Sequence, residues 1–297
     1  MGAVGPVGLV LHPERDSEFA VSTLLDWAQE RRLPVLGLAP EVARLNCDAE
    51  PVTEAELVRR ATLVVSLGGD GTVLRALRLC QALDGPTPVP VLGVNLGRLG
   101  FLAEVDVPEL PAALTAIDEH RFVVERRAAV RAALPDGTMA VAFNDIALVR
   151  VPGDRVAAVG VRVNGESFVR YAADAIVVAT PTGSTAYSFA AGGPIVSPSV
   201  EGLLVIPAAA HATFNRALLL AADEHLVLDL LPSSGVLAVE VDGRVVCQVR
   251  PGDSIALALV PGAAHLLRLG TTSFYQRARR KLRVMGSTEA DDGISPG

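Results

Sequence analysis

Leu63-Val64-Val65-Ser66-Leu67-Gly68-Gly69-Asp70-Gly71-Thr72 joins a strand-length apolar run to a glycine turn, and Val73–Ala82 follows with helical spacing. A buried strand that feeds a glycine turn and then a helix is the unit of a parallel sheet, whose ligands sit outside the carboxyl ends of the strands. The same alternation extends outward, with strands at Val7–Leu11, Leu33–Leu38 and Pro90–Val94 and helices at Glu18–Glu30 and Leu110–Glu119. Thr53-Glu54-Ala55-Glu56 is a capping box that opens a short helix through Arg60. The pattern changes near Arg121. From there to about Leu269, strand-length segments such as Ala129–Leu134 and Met139–Val149 follow one another, and Asn164-Gly165 and Asp242-Gly243 read as type I′ hairpin turns. The expected fold class is an α/β domain over residues 1–121, then an all-β domain of sandwich type over residues 122–269. Ser273–Val284 reads as a basic helix, and residues 286–297 as a disordered tail.

Composition removes several function classes. The chain has 297 residues, half of them hydrophobic, and a formal net charge of −7, so it is expected to fold around sizeable cores and not to bind nucleic acid. Apolar stretches such as Ala175–Ala179 and Leu203–Ala210 are of strand length, well short of the ~20 residues of a membrane span. No secretory leader is expected, because Met1–Leu11 lacks a basic start and His12-Pro13-Glu14-Arg15 interrupts it. Cys47, Cys80 and Cys247 lie far apart and in no metal-binding spacing, which suits a reducing, cytoplasmic setting. Lys281 is the only lysine.

The glycine turn is the first candidate site. Gly68, Gly69 and Gly71 let backbone N–H groups approach phosphate oxygens, the following helix adds its positive end, and Thr72 offers a hydroxyl. A Walker A loop requires a lysine, and none is here. Asp70 repels phosphate by itself; it makes sense either as acceptor of the proton of an attacking hydroxyl or as holder of a metal that bridges phosphates. The second cluster, Thr180-Pro181-Thr182-Gly183-Ser184-Thr185-Ala186-Tyr187-Ser188, suits either a loop that hydrogen-bonds a sugar or base or a Ser/Thr/Gly turn capping a helix. Phe143-Asn144-Asp145 sets two polar residues in an apolar strand, so one of them faces inward and needs a partner.

With Gly93-Val94-Asn95-Leu96-Gly97-Arg98-Leu99-Gly100-Phe101-Leu102, and Thr180–Ser188 leading into Gly192-Gly193-Pro194, the chain resembles the NAD kinases over about Val7 to Met285. The resemblance implies a Rossmann-like first domain completed by residues 270–285, and transfer of the γ-phosphoryl of ATP, with Mg²⁺, to the 2′-hydroxyl of the adenosine ribose of NAD. On the matching motifs, Asp70 falls at the proton acceptor. NAD would contact Asp70, Gly71, Asn144, Asp145, Asp174, Thr185, Ala186, Tyr187 and Ser188, with Arg75 and Arg155 at positions that often touch the dinucleotide. Residues that ligate the metal are not identified. Homodimers or homotetramers are expected. Asp145 stands where Glu is usual, and Ala173 and Ala175 flank Asp174 where glycines are usual. A lipid kinase would need an apolar acceptor pocket in place of Thr180–Ser188. A non-catalytic dinucleotide-binding regulator is the other rival, set against the intact Asp70 turn.

Overall fold

The computed structural model describes residues 5–81, 87–97, 100–211, 214–270 and 272–284. Arg98, Leu99 and the tail at 286–297 lie outside the described residues. The rest divides into two compact units, one within Met1–Leu79, Val89–Glu125 and Leu266–Gly297, the other within Cys80–Pro88 and Arg126–His265.

In the first unit the order is β1 (Val7–Leu11), α1 (Glu18–Glu30), β2 (Val35–Leu38), α2 (Ala39–Leu45), β3 (Glu50–Val52), α3 (Glu54–Arg60), β4 (Leu63–Gly68), α4 (Asp70–Cys80), β5 (Pro90–Asn95), β6 (Val105–Asp106) and α5 (Leu110–Asp118). β3-β2-β1-β4-β5 lie side by side and parallel. Val7, Leu9, Leu63, Val65, Leu92 and Val94 pack with Leu24, Trp27, Leu110 and Leu114 of the helices, which explains why these strands read as unbroken apolar runs. The sequence shows the strand ending at Pro40 but not the helix that follows. Pro40 stands in the first turn of α2, where its missing N–H costs nothing. The expected capping box at Thr53 and Glu56 forms, with both reciprocal hydrogen bonds.

In the second unit, β7 (Val123–Ala133) enters beside β8 (Met139–Ala142); then come β9 (Asp145–Arg150), β10 (Ala157–Val163), β11 (Glu166–Ala173), β12 (Ala175–Ala179), α6 (Tyr187–Ala190), β13 (Gly202–Ala208), β14 (Leu218–Ala221), β15 (Leu226–Leu230), β16 (Leu237–Val241), β17 (Arg244–Val249) and β18 (Ser254–Arg268). One antiparallel layer contains β11-β10-β15-β18, and the other runs β14-β13-β12-β9-β16-β17. Val159, Val161, Leu228 and Ile255 of the first meet Ile146, Leu148, Ile176, Val205 and Val239 of the second, the core of a β-sandwich. Asn164 and Gly165 (φ 51° and 86°) and Asp242 and Gly243 (φ 46° and 75°) make the expected hairpin turns. Met139–Val149, read as one strand, is two: β8 pairs with β7, whereas β9 pairs with β12 and β16 in the other layer. α7 (Phe274–Leu282) closes the described chain and is capped by Ser273 with Gln276.

Candidate functional site

The glycine turn stands at the carboxyl end of β4, and the helix begins earlier than its apolar spacing suggests. Thr72 and Val73 both donate their N–H to the Gly69 carbonyl, at 3.0 and 3.1 Å, so Asp70, Gly71 and Thr72 form the first turn of α4. First-turn N–H groups have no acceptor within their own helix. Gly71 is exposed and would leave an added Cβ in open space. Gly69 is half-buried, and the Arg15 guanidinium lies 4.0 Å from where its Cβ would stand. Thr72 is buried with its hydroxyl packed against Gly68, so it shapes the turn.

Asp70 is held by backbone from a neighbouring segment. Its Oδ2 accepts the Phe101 N–H at 2.9 Å, its Oδ1 accepts the Leu102 N–H at 3.0 Å, and Lys281 Nζ donates to Oδ2 at 3.1 Å. Burial pushes this carboxyl up, but the Phe101 and Leu102 N–H groups and the Lys281 ammonium overcome it and hold Asp70 below the ordinary carboxylate range. Gly100 is required here, because any Cβ on it would occupy the space of the Asp70 carboxylate. Asn95 folds the preceding turn, donating to the Gly97 carbonyl and to Asp106, both at 2.7 Å. Arg75 is paired with Glu41 at 2.6 Å and donates to the Leu11 carbonyl. A cleft of about 630 Å³ between α1 and β2–β3 shares no lining residue with the glycine turn, so volume alone does not lead to the site.

In the second unit the switch between layers at Phe143–Asn144 is fixed by Asp242. Its carboxylate accepts the N–H groups of Phe143, Asn144 and Asp145, at 3.3, 2.7 and 3.3 Å. The Asn144 carbonyl in turn accepts the Thr180 N–H at 2.9 Å. Most hydroxyls of the Thr180–Ser188 segment hold the segment together. Thr180 Oγ1 donates to the Phe143 carbonyl and accepts the Gly183 N–H, and Ser184 Oγ bonds to Pro181 and Val196. Ser188 is buried, and its hydroxyl has no partner among the described residues. Thr185, Ala186 and Tyr187 are the members left half-exposed.

Asp145 is 4% exposed. Burial above all, then the Asp242 carboxylate, pushes it up to about 7, against the pull of the Tyr187 N–H that it accepts. Burial and the carboxylates of Glu240, Asp145 and Asp174 push the Tyr187 phenol up as well. Asp174 is exposed and ion-paired with Arg150 at 2.7 Å, at the opposite end of β12 from Thr180. Arg155 is exposed on the turn after β9, at that same end. Asp145 gives a pH prediction. The folded protein holds this proton more tightly than the unfolded chain, so stability falls as pH rises from about 4 through about 7. Asp145→Asn removes the penalty. Its melting temperature should exceed wild type at about pH 8, with the excess shrinking as pH falls toward about 4; a difference that does not change with pH would place Asp145 near its ordinary value.

The sequence left three contributors unmarked: Arg15, Asp242 as organiser of Asn144–Asp145, and Lys281. Each is remote in sequence from what it touches; the one available signal was that Lys281 is the chain's only lysine.

A parallel α/β unit with an aspartate in a phosphate-binding turn, joined to a β-sandwich that presents an Asn-Asp pair beside a Tyr-bearing loop, defines a nucleotide phosphotransferase. Residues 7–122 match the ATP-NAD kinase N-terminal domain, and residues 143–269 match the ATP-NAD kinase C-terminal domain. NAD kinase 1 of Streptomyces avermitilis is 37% identical over 98% of this chain and 90% of its own length. The NAD kinase of Desulforamulus reducens is 34% identical over 93% of this chain and 96% of its own. Among solved structures, yeast NADH kinase complexed with NADH aligns with a TM-score of 0.83 at 26% identity, covering 97% of this chain and 90% of that one. An Archaeoglobus fulgidus NAD kinase in complex with ATP aligns at 0.72 and 25% identity, covering 95% of this chain and all of that one. The chain belongs to the ATP-NAD kinase family.

Proposed function

We infer that this chain carries out the reaction of its family, transferring the γ-phosphoryl of ATP to the 2′-hydroxyl of the adenosine ribose of NAD to give NADP. The observation that carries this is Asp70: an ionised carboxylate at the start of α4, in the glycine turn at the helix's positive end. Three donors, two on Oδ2 and one on Oδ1, keep this carboxylate ionised and in place as a proton acceptor. In the proposed step the 2′-oxygen bonds to the γ-phosphorus, the bond from that phosphorus to the β–γ bridging oxygen breaks, ADP leaves, and the hydroxyl proton passes to Asp70. An aspartate of low basicity serves because the hydroxyl becomes acidic as its oxygen bonds to phosphorus.

Residues 1–121 with 270–285 are assigned the donor phosphates, through Gly68, Gly69, Gly71 and the shape that Thr72 gives the turn. Residues 122–269 are assigned NAD, through Asn144, Asp145, Thr185, Ala186 and Tyr187, with Asp174 and Arg155 at the other end of the sheet. Ser188 and Arg75 complete the residues assigned to NAD; the first is buried, and the second is paired with Glu41. Among the described residues no three carboxylate, His or Cys side chains gather in metal-binding geometry. Mg²⁺ would arrive on the ATP phosphates, where it needs at most one or two carboxylates from the protein. A cytoplasmic setting suits the three free cysteines. No described helix is long and apolar enough to cross a membrane. Assembly as homodimer or homotetramer is part of the same reading and is checked by ultracentrifugation.

The test is direct. Incubation with ATP, Mg²⁺ and NAD should form NADP, read by a coupled NADP-specific dehydrogenase. NAD binding by calorimetry without NADP formation would favour the regulator reading instead.

A further inference from the structure

Lys281 is the only lysine of the chain, and the fold brings it back across 211 positions to Asp70. The delivery is built into one face of α7. Phe274, Arg277 and Lys281 stand at i, i+3 and i+7, which places them along one stripe of a helix. The Phe274 ring lies 6.2 Å from that of Phe101. Arg277 donates to the Ala103 carbonyl and to Glu104. Lys281 Nζ reaches Asp70 Oδ2 and sits 4.7 Å over the Phe101 ring. The middle contact fixes the helix. Arg277 is 2% exposed and Glu104 4%, and Glu104 also pairs with Arg268 at 2.9 Å. Breaking a buried pair of this kind strands a charge in the interior, so α7 does not turn freely. The ammonium, by contrast, is 40% exposed on a four-carbon stem and is free to swing.

An exposed Lys–Asp pair by itself contributes little to stability. A helix anchored so that its lysine meets the one carboxylate in a phosphate turn calls for a different account. We propose that Lys281 is the donor-phosphate cation of this site: with ATP bound, its ammonium turns from Asp70 to the phosphoryl oxygens and clears Asp70 Oδ2 for the acceptor hydroxyl. A polyphosphate outcompetes a single carboxylate for the ammonium, and cation contacts at a transferring phosphoryl group offset its developing charge. Lys281 keeps its proton throughout. It does from the C-terminal helix what a Walker A lysine does from within the loop. The inference rests on reading Gly68–Thr72 as the phosphate turn.

Two other cations stand near the glycine turn. Arg15, from the loop after β1, faces Gly69 and Gly97, and Arg75, on α4, is turned to Glu41. Lys281 is thus the cation bonded to Asp70 itself.

Two independent measurements test this. In Lys281→Gln, kcat should fall about 10²-fold with NAD affinity by calorimetry unchanged, the acid limb of kcat/KM should move to higher pH as Asp70 loses its counter-ion, and Lys281→Arg should restore most of the turnover. In the wild-type protein, MgATP but not NAD should slow acetylation of Lys281 several-fold, read by mass spectrometry against the N-terminal amine. Wild-type kcat in Lys281→Gln, or acetylation indifferent to MgATP, overturns the proposal. Failure of the parent reading looks different: the wild-type protein itself would form no NADP, while the acetylation arm still reports on the phosphate contact.

Discussion

Asp70→Asn is expected to lose about 10²–10⁴-fold in kcat and to keep NAD bound within about twofold of wild type. The amide no longer takes up the hydroxyl proton, so the attacking oxygen must shed it to water. It also meets three donors where the carboxylate met them as an acceptor. One amide edge then faces the Phe101 or Leu102 N–H, or Lys281, donor against donor. That local mismatch confines itself to the Phe101–Leu102 segment and leaves the sandwich core untouched, since Val159, Ile146, Val239 and their neighbours lie in the other unit. Single-turnover phosphoryl transfer checks the rate and calorimetry checks NAD binding. Near-normal turnover with full NAD binding would remove Asp70 as the base. Loss of NAD binding with an unchanged melting temperature would make it a binding residue.

The parts of this molecule legible in the sequence are those written by neighbours in the chain. Leu63–Leu67 followed by glycines announces β4 and its turn, because a strand buried on both faces has to be apolar throughout. Asn164-Gly165 and Asp242-Gly243 announce hairpins because both residues of each pair adopt positive φ. What the sequence hides is written by distant partners. Asp242 looks like a turn residue and no more, yet its carboxylate collects three N–H groups almost a hundred positions away and so splits one apparent strand between two layers. The hydroxyls of Thr180 and Ser184 look available to a ligand, but the fold uses them internally. Arg75 stands five residues after Asp70 on the same helix, and its partner on α2 follows from a helix that the proline seemed to forbid. Residue chemistry set the list of candidates; only packing separated those that face outward from those that hold the loop in place.

Gly183→Ala is the substitution expected to damage the second unit most. The position does not need a left-handed backbone; it needs the absence of a side chain. A Cβ there would overlap the carbonyl oxygen, carbonyl carbon and Cα of Asn144, which are all backbone and cannot swing aside. Relief requires the segment at 180–183 to lift from the switch at Phe143–Asn144. That lift breaks the Thr180 N–H bond to the Asn144 carbonyl at 2.9 Å and strains the Thr180 hydroxyl bond to Phe143. It also pulls the Tyr187 N–H from Asp145. Overpacking of this kind costs about 1–3 kcal/mol and more where backbone must move. The melting temperature should fall by about 5–10 °C. NAD affinity should weaken at least about tenfold, because Thr185, Ala186 and Tyr187 ride on the displaced segment, and each tenfold is about 1.4 kcal/mol. Scanning calorimetry and NAD titration measure the two effects on one sample. A wild-type melting temperature would mean that the 180–183 segment accommodates the methyl without leaving Asn144. A lowered melting temperature with unchanged NAD affinity would separate this loop from the dinucleotide and leave Asn144–Asp145 to hold it alone.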